Sequence, residues 1–169
     1  MPVEFLNQEQ RERYGRFVED PTSTQLAQYF LLDDRDRQLI NIRRGNHNRL
    51  GFALQLGTVR FLGTFLNDLT NVPDSVVEYV ASQLAIADLN CLKEYHPRIV
   101  WKHAVAISEK YGYKSFSQRP DFWRLQRWIY YRAWISDESP SVLFDQTTAY
   151  LVDRKILLPG VISSQLEYP

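Results

Sequence analysis

The sequence predicts an all-α fold: a compact multi-helix domain of about eight helices with helix-turn-helix-like corners, spanning residues 1–160, with 161–169 as a tail or truncated linker. Three observations lead there. Apolar residues recur at helical spacing along nearly the whole chain, and no run alternates as a strand would. Residues that cap helices fall at the borders of those periodic stretches. The chain has 169 residues, 44% hydrophobic and 14% aromatic, which is enough for a real core and excludes a disordered chain. Two helical subdomains, about 1–70 and 71–160, are an alternative partition.

Each element has its own signals. Asn7 with Gln10 three residues on reads as a capping box for a helix through about Phe17. Thr22, Ser23 and Thr24 offer caps for a short helix bearing Leu26, Tyr29 and Phe30. Asp33 caps the next, Asp34 and Asp36 complement its dipole, and Gly45 stops it after Arg44. Asn46, His47 and Asn48 then bridge to a helix from about Arg49 to Leu62. Asn71, Pro73 and Asp74 open an amphipathic helix with Val76, Val77, Val80, Ala81 and Leu84 inward. Asp88 caps a short helix holding Cys91, Leu92 and Tyr95, and residues 98–111 form another, closed by Gly112. Pro120 sits in the first turn of an aromatic-rich helix reaching roughly Ile135, and Ser139 with Pro140 starts the last, which runs to about Lys155.

The charges are segregated. Twenty Lys and Arg balance twenty Asp and Glu, and a net charge of zero taken alone argues against a polyanion partner. Residues 37–60, however, carry Arg37, Arg43, Arg44, Arg49 and Arg60 and no acid, while residues 98–134 carry eight Lys or Arg against Glu109 and Asp121. Acidic segments flank both blocks. Such clustering lets a neutral domain present a positive face, although solvated helix faces also cluster by sign. Arginine outnumbers lysine fifteen to five, and its fork suits phosphate and guanine.

The densest constellation runs from Arg43 to Leu56. Arg43, Arg44, Gly45, Asn46, His47, Asn48 and Arg49 read as a helix end, a tight polar turn and the start of a second helix. A helix start offers free backbone N–H groups and a positive dipole end to phosphate. Asn pairs with adenine and Arg with guanine. Asn46, Asn48 and Arg49 are therefore the candidates for base edges, with Arg43, Arg44 and Arg60 mainly for phosphate. Arg49 and Arg60 lie eleven residues apart, so both point the same way at 100° per residue. The same residues also fit a structural corner whose Asn side chains satisfy the turn and whose Arg60 pairs with an acid.

In the second basic block Trp123, Arg127 and Tyr131 share a face at i, i+4, i+8. Arginines among aromatics can hold phosphate and stack on bases. Such a helix is more often a core element, with Phe122, Leu125, Trp128 and Ile129 inside and Arg124, Arg127 and Arg132 outside as secondary phosphate contacts. Catalysis gets little support. His47, His96 and His103 lack metal-ligand spacing, the single Cys91 has no second thiol, and neither a phosphate-cradling glycine loop nor an acid–base pair is visible. No cofactor or metal is expected. A membrane span over residues 50–69 is disfavoured by Arg60, Gln55 and three interrupting glycines, and no secretory signal is visible.

Three strings carry a family resemblance: M-P-V-E-F-L followed by Q-R-E-R-Y-G-R-F near the start, R-R-G-N-H-N-R-L-G-F-A-L-Q-L-G-T-V-R-F-L-G-T-F-L at 43–66, and W-I-S-D-E-S-P-S-V-L-F-D at 134–145. They resemble the N-terminal DNA-binding region of Tn-three family replicative transposases, from Met1 to about Gly160. The resemblance implies recognition of a transposon's terminal inverted repeats in double-stranded DNA, in the bacterial cytoplasm at the nucleoid. In the family the catalytic acids and metal lie in a distant C-terminal domain, so no catalytic residue carries over. Between Tyr95 and His103 this chain is about two residues shorter than the family's basic stretch, and contacts from that loop do not carry over either. The rival expectation is a protein-interaction module, self-associating or acting as a truncated regulator of the full transposase.

Overall fold

The structure, a computed structural model, describes residues 12–116 and 119–159, apart from the side chains of 119–121. The described residues form α1 (Ser23–Tyr29), α2 (Asp34–Asn41), α3 (Asn46–Leu62), α4 (Asp74–Gln83), α5 (Pro97–Tyr111), α6 (Arg119–Ile135) and α7 (Pro140–Asp153), with 3-10 turns at Leu69–Asn71 and Leu89–Glu94. Among them the one β feature is an isolated parallel bridge between Lys114 and Ile156. The all-α expectation is borne out.

Local chemistry explains most of the starts. Thr22 closes a capping box with Gln25, and Asp33 closes one with Asp36. Asp68 and Asp88 cap the two 3-10 turns, His96 caps α5 with Pro97 at its first position, and Ser139 caps α7 ahead of Pro140. Gly112 ends α5 at φ 74°, a conformation that glycine adopts without strain. The start of the first expected helix, at Asn7, lies outside the described residues; the helical turn ends at Arg13, short of Phe17, because the chain turns at Tyr14 and Gly15.

The axis of the fold is α3. Leu50 through Val59 are all buried, so the helix is enclosed on every side over nearly three turns. It packs against α1, α2, α4, α5, α7 and the 3-10 turn at Leu89–Glu94. Two of its glycines exist for these approaches: a Cβ at Gly51 would stand 2.5 Å from the Tyr95 ring, and one at Gly57 would run into Phe30. Gln55, fully buried, holds the loop after the helix by donating to the Leu66 carbonyl at 2.5 Å and accepting from the Leu66 N–H at 3.1 Å. The main core cluster takes in Phe30, Ile40, Phe52, Leu54, Val76, Val80 and Ile107. A second, smaller cluster gathers Leu125, Leu151, Ile156 and Leu158 beneath α6 and α7. Gly63 joins the two: its carbonyl accepts from the Leu158 N–H at 3.0 Å, and a Cβ there would sit 2.6 Å from Val152. Among the described residues no helix is long and apolar enough to cross a membrane.

Candidate nucleic-acid interface

The Arg43–Arg49 segment is a sharp corner between α2 and α3. Helix α2 ends at Asn41, with the Arg43 N–H folding back to the Ile40 carbonyl at 2.9 Å. Gly45 does not stop α2 as expected. At φ 82° it is instead the N-cap of α3, with no side chain to occupy the cap. The expected bridge Asn46–Asn48 is therefore the first turn of the helix, which begins three residues before Arg49. The first intrahelical bond is the Arg49 N–H to the Gly45 carbonyl at 3.1 Å. The N–H groups of Asn46, His47 and Asn48 precede it and have no intrahelical acceptor. This end of α3 emerges from the core as an uncapped positive dipole terminus.

The side chains around the tip divide into free and committed groups. Arg44 and Asn46 are exposed, and neither side chain has a partner among the described residues. His47 faces Glu94 at 3.5 Å (Nδ1 to Oε2). The Arg43 guanidinium lies over Phe52, 4.6 Å from the ring centre, and its Nε is buried without a hydrogen-bond partner. Beneath it, Phe52 meets His103 edge-on at 5.1 Å, and His103 Nδ1 lies 2.7 Å from the Tyr95 hydroxyl. Burial, and next the Arg43 charge, push the His103 imidazole down to about 4, so this buried ring is neutral at physiological pH. Asn48 braces the corner by donating from Nδ2 to the Arg44 carbonyl at 2.8 Å, while its Oδ1 is buried and unpartnered.

Arg49 and Arg60 do point the same way, but toward α2. Arg49 donates to Asn41 Oδ1 at 2.9 Å. Arg60 forks onto Asp36, at 2.9 Å to Oδ2 and 2.8 Å to Oδ1, and the Tyr111 hydroxyl donates to Oδ1 at 2.6 Å. Asp36 is wholly buried. Burial alone would raise its carboxyl, but the Arg60 and Tyr111 hydrogen bonds outweigh burial and hold it below the usual range. Both arms of the Arg60 guanidinium are filled from within the fold, which is the acid pairing that the structural-corner alternative anticipates. Arg37 is likewise turned inward, donating to the Gln83 carbonyl at 2.6 Å.

Helix α6 also departs from expectation. Leu125 is buried, and Trp128 and Ile129 are half-buried, as the core reading required. Phe122 is 40% exposed, and Trp123, Tyr130, Tyr131 and Trp134 are 60–80% exposed. The second cluster is too small to cover a helix this rich in rings. Arg124 and Arg127 are exposed. Arg132 donates from Nη2 to both Glu138 at 3.0 Å and Gln146 at 2.6 Å, while its Nε is buried without a hydrogen-bond partner. No group of three or more potential metal ligands occurs among the described residues.

Residues 5–165 match the family described as "Domain of unknown function (DUF4158)". The chain belongs to the DUF4158 family. Relatives of this DUF4158 domain include the transposase for transposon gamma-delta of Escherichia coli, 50% identical over 162 residues, which is 95% of this chain and 16% of that protein. The transposase for transposon Tn1546 of Enterococcus faecium is 29% identical over 160 residues, 94% of this chain and 16% of that protein. The transposase for transposon Tn501 of Pseudomonas aeruginosa is 42% identical over a shorter stretch of 59 residues. The chain thus spans about a sixth of the length of the first two.

In this DUF4158 domain the residues Arg43–Arg49 do meet at one corner, but they divide between exposed side chains and internal braces in a way that spacing does not reveal. Asp36 reads from sequence as a dipole-complementing acid, and its pairing with Arg60 depends on how α2 lies along α3. Tyr95, Phe52 and His103, which support Arg43 from below, give no sequence signal, because their meeting depends on how α5 crosses α3.

Proposed function

We propose that this domain serves within a transposase as a double-stranded DNA-binding module that reads the terminal inverted repeat of its transposon, with strand transfer carried by parts of the protein outside this chain. The observation supporting this most directly is the open first turn of α3, presented from the core beside Arg43 and Arg44. Three amides without intrahelical acceptors at a positive dipole end suit a phosphate, and Arg44 adds a forked cation with no partner among the described residues. Asn46 offers a side-chain amide of the kind that pairs with adenine, and His47 stands next to it. Asn48 and Arg49 act as braces that fix the corner, and Arg43 holds its charge there by lying on Phe52. Arg60 belongs to the fold, leaving Arg124 and Arg127 as the second basic set.

The test is fluorescence anisotropy with a labelled duplex carrying the matching inverted repeat, against a scrambled duplex, over a range of salt. Tighter binding to the repeat, falling steeply as salt rises, is expected. Arg44→Ala is expected to weaken both duplexes alike and to shallow the salt slope by about one, whereas Asn46→Ala is expected to erode the preference by about 1–3 kcal/mol. Equal and feeble binding to both duplexes at modest salt refutes the specific reading. A concentration-dependent mass without DNA binding would favour an interaction module instead.

A further inference from the structure

The aromatic face of α6 has no role in the corner at α3. Trp123, Arg127, Tyr130, Tyr131 and Trp134 fall at i, i+4, i+7, i+8 and i+11, which places them along one stripe of the helix. That stripe is open: Trp123 is 60% exposed, Tyr131 64% and Trp134 80%. It lines a shallow groove whose wall is completed by Tyr150 of α7, and among the described residues that line it are Arg124 and Arg127 and no carboxylate. Tyr130 and Trp134 already lie nearly parallel, their ring centres 6.2 Å apart and their planes 19° from each other. Four wide rings left in water along about 16 Å of helix are far more than scattered surface apolarity, and contiguous patches of this kind mark a contact surface.

We propose that this stripe is a stacking platform for the unpaired bases of a DNA single strand. The reading rests on the domain's being a DNA binder, and it goes beyond the duplex contacts at α3. A single strand matches the stripe in both its chemistries. Each nucleotide brings a planar π face for a ring and a negative phosphate for an arginine, and neither demands a particular base. A second copy of the chain matches it poorly. Two such stripes face to face would press Arg127 against Arg127 in an apolar seam, where like charges are desolvated without compensation. Arg132, at the far end of the helix, is held by Glu138 and Gln146 and lies 5.7 Å from the Trp128 ring, so it steadies the inner side of α6 and leaves the outer side unobstructed.

The experiment uses the whole chain and a labelled twelve-residue oligothymidylate, followed by anisotropy and by quenching of tryptophan fluorescence. Wild type is expected to bind and to be quenched. Trp123→Ala with Trp134→Ala is expected to weaken oligothymidylate binding at least about tenfold. Trp123→Phe with Trp134→Phe, which keeps two rings, is expected to stay within about threefold of wild type. Both pairs change exposed side chains, and unchanged circular dichroism melting checks that the fold is kept. Binding to the inverted-repeat duplex is expected to be the same in all three proteins. The platform is overturned if wild type ignores the oligonucleotide, if the alanine pair binds it as well as wild type does, or if sedimentation shows a dimer that the alanine pair dissolves. Failure of the duplex reading looks different: oligothymidylate binding that depends on the rings, with no preference between repeat and scrambled duplex.

Discussion

Replacing Arg60 by alanine leaves the Asp36 carboxylate wholly buried, with the Tyr111 hydroxyl and the Asp33 N–H as its remaining donors among the described residues. Arg60 supplies two of its hydrogen bonds, at 2.8 and 2.9 Å, together with the sole opposing charge recorded at this carboxylate among the described residues. Breaking a buried pair from one side costs about 3–5 kcal/mol, because the surviving charge stays desolvated. For a chain of this length each kcal/mol moves the melting temperature by about 2–4 °C, so Arg60→Ala is expected to melt roughly 6–20 °C lower. Urea unfolding at neutral pH gives the free energy directly. Acidification supplies a second readout. The Asp36 pKa in the folded protein lies below its unfolded value, so the pair's stabilisation is fully present above the unfolded value and is lost as pH falls through the folded one. Wild type and Arg60→Ala should therefore converge in acid. At temperatures where the variant is folded, its salt slope on DNA should equal that of wild type, whereas loss of a phosphate contact would shallow it by about one. A cost below about 1 kcal/mol, or a shallower slope, would refute the assignment of Arg60 to the fold.

Three further outcomes follow from the same packing. His103 is held near 4, against about 6.5 when unfolded, so the folded state resists protonation and the wild type is expected to lose roughly 2 kcal/mol between pH 7.5 and 5 that His103→Gln does not lose, read as the difference between two urea titrations. Gly51→Ala forces a methyl to 2.5 Å from the Tyr95 ring and is expected to destabilise by about 1–3 kcal/mol; a thermally neutral variant would contradict that packing. Asp33→Ala removes the Asp36 N–H acceptor at 2.7 Å from the α2 cap and is expected to cost about 1 kcal/mol by thermal unfolding, with the DNA salt slope unchanged.

Much of this fold was legible because its signals are local. Thr22, Asp33, Asp88 and Ser139 cap within three residues of themselves, and Gly112 ends α5 through its own backbone conformation. Gly45 was misplaced because glycine serves equally past the end of one helix and ahead of the next, and only the 3-dimensional turn decides between them. The candidate site was legible in phase but not in direction. Eleven-residue spacing correctly put Arg49 and Arg60 on one face, yet which neighbour that face meets depends on α2 lying along α3, with Asn41 opposite one arginine and Asp36 opposite the other. The five-arginine block illustrates the same limit: Arg37, Arg49 and Arg60 turn inward, and Arg43 and Arg44 remain at the corner. On α6, rings occupy both sides of the helix, so periodicity cannot tell the covered side from the bare one.

The enclosure of α3 has a mechanical meaning. A helix gripped from Leu50 to Val59 on all sides is a stiff post, and its tip has no slack with which to tilt or bend toward what it touches. If that tip docks in a groove of DNA, the accommodation falls to the nucleic acid. Sequences that widen or flex their groove at low cost would then be favoured at positions no side chain reaches. A substitution deep in the protein, at Gly57 against Phe30 for instance, would alter which DNA is tolerated by turning the post a few degrees.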